Sequence, residues 1–207
     1  MAVNYRVQAQ VVDIRSDTPK ESDSFLVDTN VWYWMCYPRA SLSLDLLIYQ
    51  LTHYPEYLKK ARLVKAKLYR FGLSLAELTH RIEVTEREVY GRKPSGTIDA
   101  KEYRHNLPAE RAKVVAEADA AWGAVKTLAD PLNLAIDDST TDAALTRFQS
   151  QPVDGYDLFF LEAMSRASIV QLLSDDGDFC TVPGIILFTA NQRVVTAATN
   201  QRKLLAR

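Results

Sequence analysis

The chain has 207 residues, 47% of them hydrophobic, with 25 Lys and Arg against 26 Asp and Glu, a formal net charge of -1 at pH 7. That length suits one sizeable α/β domain with embellishments and is short for two. With no global basic field, any affinity for nucleic acid has to come from a local patch. Cys36 and Cys180 each lie in an apolar neighbourhood without metal-ligand spacing, which reads as reduced core thiols rather than a disulfide or a zinc site. The opening MAVNYRVQAQ lacks the apolar centre of a signal peptide, and no apolar run approaches bilayer length, so the expectation is a cytoplasmic protein without a membrane partner.

In chain order, Val3, Tyr5, Val7, Ala9 and Val11 alternate with Asn4, Arg6, Gln8 and Gln10, a period of two that predicts a half-buried strand at an edge or interface. The run Ser24 to Val27 is short, mostly apolar and preceded by a polar stretch, as expected of a strand buried on both faces. Asp28, Thr29 and Asn30 then offer helix caps, and Trp32, Tyr33, Met35 and Cys36 suit a buried helical turn. The adjoining Trp32, Tyr33 and Trp34 read as core or dimer interface, since helical aromatics mostly pack. Leu42 to Arg70 reads as helical, with a break near Pro55. Within it, KKARLVKAKLYR holds Lys59, Lys60, Arg62, Lys65, Lys67 and Arg70 without an acid. A solvated face explains these cations well, and phosphate contacts are the functional alternative.

Leu68 to Leu73 reads as a second strand, followed by a helix capped at Ser74 with Glu77 as capping-box partner. GRKPSGT, after Tyr90, reads as a loop, and the helical spacing of Val114, Ala118, Ala121, Trp122, Val125 and Leu128 predicts an amphipathic helix before Asp130. A third strand is expected over Leu132 to Ile136, then a helix with a Ser139 and Asp142 box. Val153 to Asp157 opens the helix DLFFLEAMSRA, Ile169 to Leu173 forms a fourth strand, Ile185 to Thr189 a fifth, and a basic helix with Arg193, Arg202, Lys203 and Arg207 closes the chain. Alternating strands and helices imply a parallel sheet with both faces covered.

Two strands end alike, SFLV in Asp28 and IVQLLS in Asp176, with Asp178 close behind. If these strands are neighbours with crossovers to opposite sides, their ends form the crevice where open α/β sheets bind ligands. Glu77 and Asp157, each near a helix start, could point into the same crevice. Like charges about 4 Å apart repel by roughly 4 kcal/mol at an effective dielectric of about 20, so such a cluster protonates or binds a cation. Oxygen-only ligands select hard divalent ions, Mg²⁺ or Mn²⁺, whose bound water can be activated as a nucleophile, and hydrolysis of a phosphodiester is the favoured reaction.

VDTNVW, the LAEL around Glu77, the GYDLFFLEA around Asp157 and the LLSDDGDF around Asp176 resemble, in order, the four acidic signatures of the PIN domain, the nuclease fold of VapC-like toxins. The resemblance covers Phe25 to Thr189 in outline, with the first and last motifs the most specific. It implies a three-layer α/β/α sandwich around a five-stranded parallel sheet of order 3-2-1-4-5. It also implies Mg²⁺ or Mn²⁺ held by Asp28, Glu77, Asp157 and Asp176 with help from Asp178, and support from Thr29 or Asn30 and from Ser174. Its further implications are an RNA substrate, frequent homodimers and, for toxins, an antitoxin partner. On this reading residues 1–23 form an N-terminal extension, residues 24–207 the PIN-like domain, and residues 91–130 a helical insertion. The small toxins lack both the strand-like N-terminus and so long a stretch between Glu77 and Asp157.

The remaining acids and histidines fit structural roles better than a place at the metal. Asp137, Asp138 and Asp142 follow a strand expected at the sheet edge, where capping accounts for them, and Asp175 occupies the variable position before Asp176. Glu83 lies about 240° round the helix from Glu77, so only one of the two can face the site, and Glu77 is nearer the strand end. His53, His80 and His105 share no ligand spacing. A haloacid-dehalogenase-like phosphatase would need a general acid at the position of Asn30. The rival of another kind is a PIN fold that binds RNA or protein without catalysis.

Overall fold

The computed structural model describes residues 3–92 and 96–207. Among them, eight α-helices surround one six-stranded sheet in which every pairing is parallel. Its strands are β1 (Gln10–Asp13), β2 (Ser24–Val27), β3 (Lys67–Phe71), β4 (Asp130–Leu132), β5 (Gln171–Leu173) and β6 (Ile186–Thr189), in the order β1-β6-β5-β2-β3-β4. The sheet therefore has six strands rather than the expected five. The N-terminal extension is not an appendage: β1 pairs with β6 and forms one edge, Val11 opposite Leu187 and Val12 opposite Phe188. Counted from β2, the other five run 3-2-1-4-5.

Alternation along the strands explains why both faces are covered. Val12, Phe25, Val27, Leu68, Leu173 and Phe188 enter one apolar core, which they share with the helices α1 (Thr29–Cys36), α2 (Ile48–Leu63), α3 (Ser74–Gly91) and α5 (Pro108–Leu128). Their neighbours Val11, Leu26, Leu172 and Leu187 enter a second core with α6 (Asp138–Phe148), α7 (Gly155–Arg166) and α8 (Gln192–Asn200). The arrangement is compatible with a three-layer α/β/α fold. Trp32, Tyr33 and Trp34 are core residues, at most 7% exposed. Cys36 and Cys180 are free thiols, and no helix among the described residues is long and apolar enough to cross a membrane.

Several expected boundaries moved for identifiable reasons. β1 is four residues long rather than spanning Val3 to Val11, and the segment before it is held by Gln8 and Ala9 N–H groups donating to the Cys180 carbonyl. α2 runs unbroken through Pro55: the lost N–H costs one helical bond, while Tyr54, Tyr57 and Leu58 anchor the helix in the core. β4 starts two residues early, at Asp130, and tolerates Pro131 because an edge strand has one unpaired side. No capping box forms at Ser74: Leu73 stands at the cap, and the buried Ser74 hydroxyl has no hydrogen bond. Asp137, rather than Ser139, caps α6. Arg202, Lys203 and Arg207 lie beyond α8. The predicted loop after Tyr90 falls partly on Lys93 to Ser95, outside the described residues.

The 91–130 stretch supplies α4 (Ala100–Asn106) and α5, which pack against α3. Buried Glu83 is paired there with Arg104 and Arg111, and buried Glu86 with Arg39 and Lys113.

Candidate active site at the carboxyl edge of the sheet

β2 and β5 are adjacent, Val27 pairing with Leu173, so the residues just beyond them, Asp28 and Ser174, emerge side by side. Backbone and side chain lock the junction: Asp28 N–H donates to the Leu173 carbonyl at 3.0 Å. The Ser174 hydroxyl donates to Asp28 Oδ2 at 2.6 Å and accepts from the Asp176 N–H at 2.9 Å. One serine thus couples both acid-bearing turns. The Asp178 N–H donates to Asp176 Oδ1 at 2.8 Å, fixing that carboxylate at the start of a 3-10 turn, Asp178–Thr181.

Asn30 donates to Asp28 Oδ2 at 3.2 Å and accepts from Arg81, whose guanidinium lies 5.1 Å from the centre of the Tyr33 ring. Engaged as a donor to Asp28, Asn30 is no substitute for the phosphatase general acid. Thr29 is fully buried beside them. Glu77 and Arg81 occupy i and i+4 of α3, on one face of the helix. α7 is capped by Asp154, whose Oδ1 accepts from the N–H groups of Tyr156 at 3.0 Å and Asp157 at 3.2 Å. That cap brings Asp157 into the first turn, where it is 9% exposed and its buried Oδ2 has no hydrogen-bond partner.

Electrostatics tie these groups together. Burial, followed by the charge of Glu77, raises the Asp28 pKa from 3.8 to about 7, against the hydrogen bond from Ser174. Asp157 is pushed up to about 9, first by burial and then by Asp28, Asp176, Asp154 and Glu77. Burial also raises Glu77, with Thr29 and Arg81 opposing the rise, and it raises Asp176 and Asp178, with Asp154 adding to both. Asp28, Glu77, Asp157, Asp176 and Asp178 therefore share one field, together with Asp154, which the sequence motifs did not single out. Among the described residues, however, no three Asp, Glu, His or Cys side chains stand close enough together to hold a metal ion. Mutual repulsion between carboxylates favours such a spread arrangement.

Two further residues escaped the sequence. Arg81 could have been found from its i+4 spacing to Glu77. Tyr5, from the segment before β1, could not: a Cβ built on Gly177 would stand 2.1 Å from the Tyr5 hydroxyl, so the phenol rests on the backbone of Gly177. There it is close enough to Asp178 and Asp176 for their charges to add to the effect of burial and raise its pKa. The basic set lies elsewhere. Lys59, Lys60, Arg62, Lys65 and Lys67 are exposed on the last half of α2 and the approach to β3, and Lys67 pairs with Ser24 at the amino end of the sheet. Four-residue strands at ~3.3 Å per residue separate that edge from the acids by over ~10 Å.

No family model matches this chain, and no curated protein matches it. Its chemistry has to be argued from the site.

Proposed function

We propose that the chain is a divalent-metal-dependent ribonuclease of PIN type, hydrolysing RNA phosphodiesters. The observation that supports this reading best is Asp157: a buried carboxylate oxygen without a partner, in the field of Asp28, Asp176, Asp154 and Glu77. A buried charge in that position needs a cation or a proton. The donor set is carboxylate oxygen, which suits Mg²⁺ or Mn²⁺ rather than zinc or copper. Asp28, Asp157 and Asp176 would hold the ion, with Glu77 and Asp178 flanking it. Such an ion, when bound, neutralises the anionic phosphate and lowers the pKa of its water.

The chain's own residues prepare that event. Ser174 holds Asp28 and the Asp176 turn in fixed relation. Arg81, anchored on Asn30 and on the Tyr33 ring, supplies a positive charge beside Asp28 and Glu77. At neutral pH Asp157, raised to about 9, keeps a proton that a cation would displace, and Asp28, raised to about 7, is in mid-titration.

The test is a Mn²⁺ titration of the wild type and of Asp28→Asn. Saturable binding by wild type, with proton release and a 10-fold or greater loss in the variant, supports the site. Equal binding by both refutes it. A second reading, a PIN-like module that binds RNA or protein without catalysis, draws on the carboxylates being too dispersed to hold an ion as they stand. Absence of Mn²⁺ binding in both proteins would favour it. An antitoxin partner and a homodimer belong to the same family resemblance and stand or fall with it.

A further inference from the structure

Beside the acids lies a cleft of about 580 Å³ lined by Leu73, Ile136, Asp154, Gly155, Tyr156 and Phe159. Its position follows from the fold. Leu73 precedes the helix that carries Glu77, Ile136 follows β4, and the other four surround the start of α7, whose first turn holds Asp157. The cleft thus borders the acids through Asp154, which lines it, accepts from the Asp157 N–H at 3.2 Å and adds its charge to the field at Asp157, Asp176, Asp178 and Glu77. Apart from the Asp154 carboxylate and the Tyr156 hydroxyl its side chains are apolar, and Tyr156 (48% exposed) and Ile136 (51% exposed) stand open to solvent.

We propose that this cleft is a nucleobase subsite, receiving one unstacked base of a single-stranded RNA whose phosphate lies at the acids. The inference rests on the ribonuclease reading above and adds a substrate feature to it. The required occupant is flat and apolar on its faces, of less than the cleft's volume, and covalently attached to an anion that the neighbouring carboxylates take through a cation. A nucleotide in single-stranded RNA satisfies all three requirements, because every base offers a π-face to an aromatic ring and unpaired bases are free to leave the stack. A protein side chain would fill the cleft but would leave the adjoining acids without a role in binding. The Asp154 carboxylate at the rim adds an acceptor for an amino group on the edge of the base.

The probes are a fluorescein-labelled, phosphorothioate-linked 10-mer RNA of mixed sequence, which resists cleavage, and a 10-mer of the same backbone without bases, both titrated in Mn²⁺. The proteins are wild type, Tyr156→Ala and Tyr156→Phe, each first titrated with Mn²⁺ alone. Tyr156→Ala should weaken RNA binding about 5- to 150-fold, the equivalent of ~1–3 kcal/mol for a stacked base. Tyr156→Phe, which keeps the ring, should bind as wild type, and Mn²⁺ binding should be the same in all three. The abasic probe should bind wild type no better than the RNA binds Tyr156→Ala. Unchanged RNA affinity in Tyr156→Ala, or equal affinity of wild type for both probes, overturns the subsite and leaves the cleft as a surface for protein. Mn²⁺ binding without RNA binding by wild type overturns the subsite and the RNA substrate but not the metal site, whereas failure to bind either overturns both proposals.

Discussion

Asp28→Asn should stabilise the metal-free protein, and only above a definite pH. Asp28 is 4% exposed, and its carboxyl pKa rises from 3.8 to about 7 on folding. Since the folded pKa is the higher one, the folded chain retains a proton that the unfolded chain gives up. The contribution is fully present below 3.8 and is lost as pH rises through about 7. At about 1.36 kcal/mol per pKa unit, a shift of roughly three units bounds the loss at about 4 kcal/mol. Asp157 and Glu77 can take up protons in turn and share the strain, so about 2 kcal/mol is a reasonable expectation for the single neutral substitution. In a chain of this size that corresponds to a rise in melting temperature of about 4–8 °C. The assay is thermal unfolding in EDTA at pH 5 and pH 8.5. An amide accepts the Ser174 hydrogen bond as the protonated acid does, so the variant's advantage should be small at pH 5, little more than a unit above 3.8, and reach its full size at pH 8.5. A variant equally destabilised at both pH values would show that Asp28 is an essential structural hydrogen-bond acceptor and would refute the buried-charge argument.

Other consequences follow from single contacts. Gly177→Ala places a methyl group 2.1 Å from the Tyr5 hydroxyl. It should cost about 1–3 kcal/mol, as overpacking does, and denaturant unfolding should show most of that cost removed in the Tyr5→Ala, Gly177→Ala double variant. Lys65→Ala with Lys67→Ala, at the amino edge, should leave RNA binding and cleavage within about twofold of wild type if the substrate lies along the acids. A loss of 10-fold or more in filter-binding affinity would require an RNA path round the molecule. Arg207→Ala removes the partner of both Asp17 and Asp23, whose side chains are each 3% exposed. About 3 kcal/mol of stability should be lost, as when one member of a buried ion pair is deleted, measured as a fall in the urea midpoint.

What the sequence revealed and what it hid divide along a physical line. Strand runs such as SFLV and IVQLLS are legible because burial on both faces demands continuous apolar residues, and their endings in Asp28 and Asp176 are local events. Partners across the chain are not local. Nothing in the alternation of Val3 to Val11 says that β1 adds to the sheet beside β6, and so nothing places Tyr5 over Gly177. The S-x-x-E pattern at Ser74 to Glu77 is a capping signal that the structure does not use. Glu77 is instead left in the field of Asp28 and Asp157. Asp154, by contrast, was visible in the sequence only as part of the segment that opens α7. Its capping of α7 gives it a structural reason to exist, yet the cap also sets its charge beside Asp157, Asp176 and Asp178.

Asp175 and Asp176 make the same point within one dipeptide. In sequence they are equivalent acids at a strand end. In the fold, Asp175 turns toward α2 and receives Tyr54 at 2.6 Å, Gln50 at 2.7 Å and Tyr49 at 2.9 Å, while its carbonyl accepts from Asn191 at 2.8 Å. Asp176 turns the other way and receives a backbone N–H from Asp178. A carboxylate with three side-chain donors has its hydrogen-bonding capacity largely satisfied and fixes α2 and the segment before α8 to the end of β5. Its neighbour is drawn into the field of Asp178 and Asp154 instead. Of two adjacent acids, the one less satisfied by its own protein is the better candidate for chemistry, and the better satisfied one holds it in place.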